Sequence, residues 1–323
     1  MKRLLVGLIV GVMLLGTVAP IVAQDVGTPV SAGTPVTLLG NEGVAYGSIT
    51  VDAVTDPFEA YDPNSAPERG SRYVLLSVTV ANDGPRLLSF NPYSIVLRDA
   101  DGFIYQQAFF SRTDSATQPD LGSAEIPPGE QTSGVIGFTV LGGVPIEQAI
   151  YTGSQGFQMV VIADLGTVTA PPVVGPDALV SLLGPDGAPM GSIAVTEMTD
   201  PWLEYDPNSP PQVGYRYVLL RFDVTNSSPR LLSFGPYSIA LRDTNGFVYD
   251  NANIFDGGTL TVPVLEYQDI AVDGTVTGVM GFQVPVGATL AQAIFRGSSD
   301  RMVYLADLAG SGGSATPVAS PAA

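Results

Sequence analysis

The stretch SRYVLLSVTVAN, residues Ser71–Asn82, alternates between two kinds of side chain. One set of alternate positions is apolar throughout: Val74, Leu76, Val78 and Val80. The other set is mixed: Tyr73, Leu75, Ser77 and Thr79. Successive side chains of a strand point to opposite faces, so the apolar set faces a core. The stretch therefore predicts a β-strand with one fully buried face.

Neighbouring segments show the same period of two. GSITVDAV, YSIVLRD, FIYQQAFF, GVIGFTV and QMVVIAD read as further strands, separated by Gly, Pro, Asn and Asp. No window shows a sustained three-four spacing, so we expect almost no helix. About seven short strands in roughly 125 residues are typical of an antiparallel β-sandwich. Antibody-type cysteine pairs are excluded because the chain has no cysteine.

The pattern occurs twice. With a shift of 144 residues, segment 36–165 aligns with segment 180–308. In this alignment YRYVLLRFDVTN matches SRYVLLSVTVAN. A period this long indicates duplication of a whole domain. The sequence thus predicts an all-β chain of two tandem immunoglobulin-like antiparallel β-sandwich domains, at 36–165 and 180–308.

The remaining segments predict export and connection. Residues 1–23 have a basic head followed by an apolar run, the layout of a secretory signal peptide. Retention of this run as a membrane anchor is the alternative. Residues 24–35 form a low-complexity leader, 166–179 a proline-rich linker, and 309–323 a tail predicted to be disordered. The expected location is secreted or on the cell surface.

Missing residue types exclude whole reaction classes. The chain has no His and no Cys, and Lys2 is its only lysine. Serine nucleophiles with a His or Lys base, cysteine catalysis and Schiff bases all need residues that are absent. Zinc or copper sites of imidazole or thiolate are absent for the same reason. Two kinds of carboxylate chemistry remain, a paired-acid glycosidase or an oxygen-ligated cation. Nothing pairs two acids across a recognisable cleft, so we expect no enzyme.

Charge argues against polyanionic partners. Loss of residues 1–23 leaves 11 arginines against 31 acidic residues, a net charge of −20. Nucleic acid requires clustered Lys and Arg, and anionic membrane surfaces attract basic patches. We therefore expect no nucleic acid partner, and no membrane contact unless the N-terminal segment is retained.

The acid-aromatic segments TDPFEAYDPNSAP (55–67) and TDPWLEYDPNSPP (199–211) are the main site candidates. Calcium would use side-chain oxygens of Asp56, Asp62, Asn64, Asp200, Asp206 and Asn208. A glycan or peptide surface would use the rings of Tyr61, Trp202 and Tyr205. The favoured interpretation is a stiff Asp-Pro connection whose aromatics close the sandwich edge. Glu59 recurs one position late, as Glu204, which counts against a defined metal geometry.

Three further pairs of positions favour structural roles. RDADGF (98–103) and RDTNGF (242–247) carry Asp-Gly and Asn-Gly, typical of hairpins with positive φ at both central residues rather than calcium loops. Asn82 and Asn226 end the strongest strands and are expected to shape turns. Arg86 and Arg230 are expected to pair with acids of their own domains.

The order GSITV, YVLLSVTVAN, PYSIVLRDADGFIY, IPPGEQTSGVIGFTV resembles a family of exported immunoglobulin-like domains. It is a bacterial domain-of-unknown-function family that includes the mycobacterial immunoprotective secreted antigen. The resemblance covers nearly all of both copies, although PPGEQTSG becomes AVDGTVTG in the second. It implies a secreted or surface-exposed domain and supplies no catalytic residues.

Together these features predict an exported, non-catalytic binding or interaction module without a cofactor. Its partner would be an unidentified protein or glycan at the cell exterior. The alternatives are a calcium- or carbohydrate-binding surface protein, or a structural spacer on the cell exterior.

Overall fold

The computed structural model describes residues 30–40, 43–153, 158–184, 186–297 and 300–309. Within these ranges the protein is all-β, with antiparallel strand pairing and no α-helix, as predicted. Short 3-10 turns occur at Pro63–Ser65, Pro92–Ser94 and Pro236–Ser238. The predicted signal peptide and nearly all of the predicted disordered tail lie outside the described residues.

The N-terminal half, residues 30–165, contains ten strands. They are β1 Val36–Leu39, β2 Ala45–Thr55, β3 Ser71–Ala81, β4 Leu88–Phe90, β5 Ile95–Asp99, β6 Ile104–Tyr105, β7 Ala124–Ile126, β8 Gln131–Leu141, β9 Ile146–Thr152 and β10 Met159–Asp164. One sheet has the order β1-β2-β3-β8 and the other β10-β9-β5-β6, while β4 and β7 form a separate pair. The two sheets enclose a shared apolar cluster. Val74, Leu76, Val78 and Val80 of β3 are fully buried in it, which confirms the predicted core face.

The C-terminal half, residues 170–309, repeats this order with its own apolar cluster. Its strands are β11 Leu179–Leu183, β12 Pro189–Thr199, β13 Tyr215–Asn226, β14 Leu232–Phe234, β15 Ile239–Asp243, β16 Val248–Ala252, β17 Gln268–Ile270, β18 Thr275–Pro285, β19 Leu290–Arg296 and β20 Met302–Asp307. Here β16 pairs with both β15 and β18, so eight strands run continuously as β11-β12-β13-β18-β16-β15-β19-β20. In the N-terminal half the matching contact is a single bridge between Gln107 and Phe138.

Parts of the predicted connectors lie against the sandwich strands. The amide of Val30, in the predicted leader, donates to the Asp164 carboxylate at 2.7 Å. In the predicted linker, Pro172 accepts a backbone hydrogen bond from Asp307, and Gly175 donates one to Val195. Both linker contacts are made with the C-terminal half.

Buried asparagines shape the turns after β3 and β13. The Asn82 amide donates to the carbonyls of Arg86 and Ile126, each at 2.7 Å, and its oxygen accepts from the Gly84 amide at 3.0 Å. Asn226 makes the matching contacts in the C-terminal half. The turn interpretation of these residues is confirmed.

The expected ion pairs of Arg86 and Arg230 are wrong. Neither guanidinium forms an ion pair with a described residue. What the two positions contribute is their backbone carbonyl, which accepts the hydrogen bond of the buried asparagine. At these two positions the backbone carbonyl stabilises the turn, and the charge of the side chain has no part in it.

The two RD-x-x-GF segments form hairpins held by their first aspartate. Asp99 accepts from the amides of Asp101 and Phe103 and from the Tyr105 hydroxyl, at 2.9, 2.8 and 2.6 Å. The expected positive φ at both central residues is wrong, because only the glycine of each pair has it. A Cβ on Gly102 would also lie 2.7 Å from the Met302 carbonyl, so glycine is required here for space as well.

Met302 belongs to the other half, so these hairpins reach across the molecule. Residues of both halves form a third apolar cluster: Val96, Ile150, Ala240, Val248, Ile294, Met302 and Tyr304. The Arg98 Nε donates to the Met302 carbonyl at 3.0 Å, and the Arg242 Nε donates to the Met159 carbonyl at 2.7 Å. Because Met159 and Met302 occupy matching places in the two copies, the contact is reciprocal, like a two-fold interface between identical subunits.

Candidate functional site

The first acids of the acid-aromatic segments form ion pairs. Asp56 accepts two hydrogen bonds from Arg72, at 2.6 and 3.0 Å, and Asp200 accepts two from Arg216, at 2.5 and 2.8 Å. Arg216 also donates to three backbone carbonyls at and just after the end of β18, those of Pro285, Val286 and Ala288. The hydrogen bond to aspartate raises the pKa of both arginines. Each carboxylate already has a cationic partner, which weakens its suitability as a calcium ligand.

The second acids cap short turns. The Asp62 Oδ1 accepts from the backbone and side-chain nitrogens of Asn64, at 2.8 and 3.0 Å. Asp206 and Asn208 repeat this contact at 2.8 and 2.9 Å. Among the described residues no group of three or more acidic side chains could hold a metal ion. These hydrogen bonds are the Asx-turn geometry expected of a rigid connecting loop.

The aromatic candidates lie on the sheet face that points away from the core. Trp202 packs with Tyr205 and Tyr217 at ring-centroid distances of 6.3 and 6.1 Å, and is only 3% exposed. Tyr61 and Tyr205 are half-buried, edge-on to the strand tyrosines Tyr73 and Tyr217, both at 5.4 Å. None of the three rings is an open stacking platform.

A second small apolar cluster therefore covers the outer face in each half. In the C-terminal half it contains Trp202, Tyr217, Leu219, Ile254 and Val279. The matching cluster of the N-terminal half contains Phe58, Tyr73, Leu75 and Val135, with Phe110 packed against it. A covering segment, 107–121 or 253–265, supplies part of each cluster. Its presence explains why the second face of SRYVLLSVTVAN is mixed and not simply polar.

A cleft of about 440 Å³ opens between this cluster and its covering segment in the C-terminal half. Its floor is the outer face of β12, β13 and β18, and its sides are the segments 201–204 and 259–262. The lining residues are Glu197, Thr199, Pro201, Trp202, Leu203, Glu204, Leu219, Arg221, Thr259, Leu260, Thr261, Val262 and Val279. Among the sequence candidates, only Trp202 lines it.

The covering segment of the N-terminal half is tied down differently. Arg112 is buried there and bonds to Asp114 and Asp120, each at 2.8 Å, and to the Gln118 carbonyl at 2.5 Å. Phe110 stacks on Tyr73 with centroids 3.7 Å apart. The matching C-terminal residues, 144 positions later, are Asp256, Gly258, Val264, Val262 and Ile254. They cannot form this network. The space found at the covering segment of the N-terminal half has a volume of only about 20 Å³.

The cleft carries charges of both signs, on its floor and on one side. Arg221 lies directly opposite Glu197 in the β12–β13 register, and Glu204 lies on the side segment. In the part of the chain that is described, Arg221 forms no ion pair within 4.0 Å. Thr199, Thr259 and Thr261 are exposed and add three hydroxyl groups. The cleft thus offers hydrogen-bond donors and acceptors beside the apolar side chains of Trp202, Leu219 and Val279.

Sequence reasoning missed Glu197, Arg221 and the 259–262 segment. A signal was available in the duplication itself. The N-terminal counterparts of Glu197 and Arg221 are Ala53 and Ser77, so these charges occur in one copy only. Divergence between otherwise matching outer-face positions points to a feature that only one copy has.

Comparison with known proteins gives one family match over part of the chain. Residues 42–153 match the family model described as "Domain of unknown function (DUF4352)". A solved structure of the yjhA protein from Bacillus subtilis is similar over 36% of this chain and 76% of that chain, with 17% identity and a TM-score of 0.25. No curated protein matches. The family match is to a domain of unknown function, and the matched segment is β-rich in this structure.

Proposed function

We propose that this chain is an exported, non-catalytic binding module of two tandem immunoglobulin-like domains, and that the cleft of the C-terminal half is its binding site. The main support for this proposal is the cleft, which has a volume of about 440 Å³. This volume lies within the roughly 300–1,000 Å³ typical of small-molecule sites. The cleft lies on the outer face of the sheet, so an occupant would leave the sandwich core intact.

The lining residues support binding without catalysis. Histidine and cysteine are absent from the chain, and its one lysine, Lys2, lies far from the cleft in sequence. The three threonine hydroxyls consequently lack the usual basic partner of an activated nucleophile. We propose that no cofactor takes part.

Export rests on the sequence of residues 1–23. Among the described residues, no helix is long and apolar enough to cross a membrane. We propose that the module is secreted or displayed at the cell surface, where it meets a glycan or protein. A relationship to the mycobacterial immunoprotective antigen belongs to the same proposal, and it is carried by the quoted strand motifs alone.

The single tryptophan of the chain provides the test, because Trp202 lines the cleft. We would follow its fluorescence while titrating neutral oligosaccharides, acidic and apolar peptides, and amine-bearing sugars. A saturable change with one of these classes, abolished by the cleft-filling substitution Thr261→Phe, is the expected result. Binding that changes Trp202 emission equally in Thr261→Phe would contradict the proposed site.

The duplicated architecture supplies a matched control. Phe58 occupies the place of Trp202 in the N-terminal half. In the double variant Trp202→Phe, Phe58→Trp the reporter lies in the half without the cleft, and we expect its emission to remain unchanged by the same probes.

A further inference from the structure

We propose that the ligand of the cleft is a neutral, polyhydroxylated molecule, a short oligosaccharide. This inference rests on the binding function proposed above and names its ligand class. It follows from the charges of the cleft wall, from the strands beneath it and from the balance of donors and acceptors.

The charges in the cleft disfavour an ionic ligand of either sign. An anion would face Glu197, Glu204 and the net charge of the chain, −18 over the full sequence. A cation would be attracted by the two carboxylates, but it would also meet the guanidinium of Arg221, which forms no ion pair with any described residue. Like charges brought together in a partly desolvated site cost binding free energy. A neutral ligand avoids both penalties.

The strands under the cleft disfavour an extended peptide. Peptides that join a sheet need an open strand edge with unpaired backbone groups. The floor strands are all interior, because β12 lies between β11 and β13, and β18 lies between β13 and β16. Arg221, for example, lies opposite Glu197 of β12 on one side and opposite Val279 of β18 on the other, within the backbone ladders. Recognition must therefore come from side chains.

Those side chains match the needs of a ligand rich in hydroxyl groups. A sugar hydroxyl both donates and accepts, so it needs a mixed set of partners. Arg221 provides donors, Glu197 and Glu204 provide acceptors, and the hydroxyls of Thr199 and Thr261 provide both. The Thr259 hydroxyl donates to the Glu204 carbonyl at 3.5 Å and can still accept. The apolar side chains of Leu219 and Val279, with the edge of Trp202, offer a surface for the C–H face of a sugar ring.

A purely apolar ligand would leave these groups without partners. Covering a polar group without replacing its hydrogen bonds to water costs free energy. An acyl chain in the cleft would desolvate the guanidinium and two carboxylates together. The wall therefore selects against lipids as well as ions.

The test is a fluorescence titration of Trp202 in the full chain with neutral di- and trisaccharides, repeated at low and high salt. We expect saturable binding whose affinity changes less than twofold with salt, because no net charge is neutralised. Uronic-acid and amino-sugar analogues should bind at least tenfold more weakly. Arg221→Gln and Glu197→Gln should each weaken binding roughly tenfold, about 1.4 kcal/mol.

Matched variants separate local contacts from overall charge. Arg230→Gln and Glu266→Gln change the net charge in the same way at positions outside the cleft, and should bind like the unmodified chain. Equal weakening by these controls would overturn the proposed contacts.

The other possible results of the titration distinguish a wrong ligand class from a wrong binding site. If charged sugars or peptides bind more tightly than neutral sugars, or affinity falls steeply with salt, the ligand class is wrong and the binding function stands. If no probe of any class changes Trp202 emission, both the ligand class and the binding site are overturned.

Discussion

The ion pair at the interface between the two halves should be among the most sensitive points of the fold. Arg98 Nη1 and Glu147 Oε2 are 2.6 Å apart, and their side chains are 7% and 4% exposed. The same guanidinium donates to the Met302 carbonyl and lies 4.6 Å from the centre of the Tyr304 ring. Arg98→Met keeps most of the side-chain volume and leaves Glu147 buried without its cation.

The matching arginine in the other half supplies the reference value. Arg242 bonds to a neutral partner, Gln292, at 3.0 Å, and to the Met159 carbonyl. Removing one member of a buried ion pair typically costs about 3–5 kcal/mol, whereas orphaning a neutral buried group costs about 1–3 kcal/mol. We therefore expect Arg98→Met to be about 2 kcal/mol more destabilising than Arg242→Met.

Urea unfolding measures this difference. With a slope of about 2 kcal/mol per molar, the two midpoints should differ by about 1 M. Circular dichroism reports on both halves, while Trp202 reports on the C-terminal half, so coincident transitions would show that the halves unfold together. Adding Glu147→Leu to Arg98→Met should recover most of the loss, because the orphaned charge is removed. Equal losses of unfolding free energy in the two arginine variants, or no recovery of it in the double variant, would contradict the stabilising role of the Arg98–Glu147 ion pair.

Three further predictions follow from single contacts. Asn226→Ala removes five side-chain hydrogen bonds and should cost about 3 kcal/mol in urea unfolding. The exposed Asn253→Ala should stay within about 0.5 kcal/mol, and similar losses for the two variants would contradict the turn role. Millimolar calcium should leave the melting temperature unchanged, since Asp200 already pairs with Arg216, and a rise would revive the metal hypothesis. Burial and the hydrogen bond to Asp99 raise the pKa of Tyr105 in the folded chain. The unfolded chain therefore loses the hydroxyl proton at a lower pH, and the free energy of unfolding should fall as pH rises above about 10. In Tyr105→Phe, titrated by tyrosinate absorbance and circular dichroism, the fall should be shallower; an unchanged slope would contradict it.

The sandwich was predictable because its signal is local. The alternation along Val74–Val80 encodes a buried face, and the repetition at 144 residues encodes a second set of strands. Both signals need only neighbouring residues or the chain compared with itself.

The environment of the candidate aromatics was not predictable in the same way. The sequence favours aromatics that close the sandwich edge, but it does not show that a separate covering segment lies over Trp202 and leaves it 3% exposed. That segment begins about fifty residues later and carries no regular period. Its position depends on long-range packing against Leu219 and Val279, which no local pattern encodes.

The interface between the halves was missed for a related reason. The hairpin pattern of residues 98–103 accounts for Gly102, because the hairpin requires its positive φ. The Met302 carbonyl, which lies against both Arg98 and Gly102, is about two hundred residues away in the sequence. When a local turn fully explains why a residue is present, the sequence gives no sign that the same residue also makes a long-range contact.

Titration of Trp202 with neutral oligosaccharides is the most direct test of the cleft and of its ligand. We expect a saturable change in emission, nearly independent of salt, that is lost in Thr261→Phe and weakened about tenfold in Arg221→Gln. We expect no response when the tryptophan is moved to position 58 in the other half. An unchanged emission with every sugar would contradict the oligosaccharide ligand, and an equal response from both tryptophan positions would contradict the cleft as the binding site.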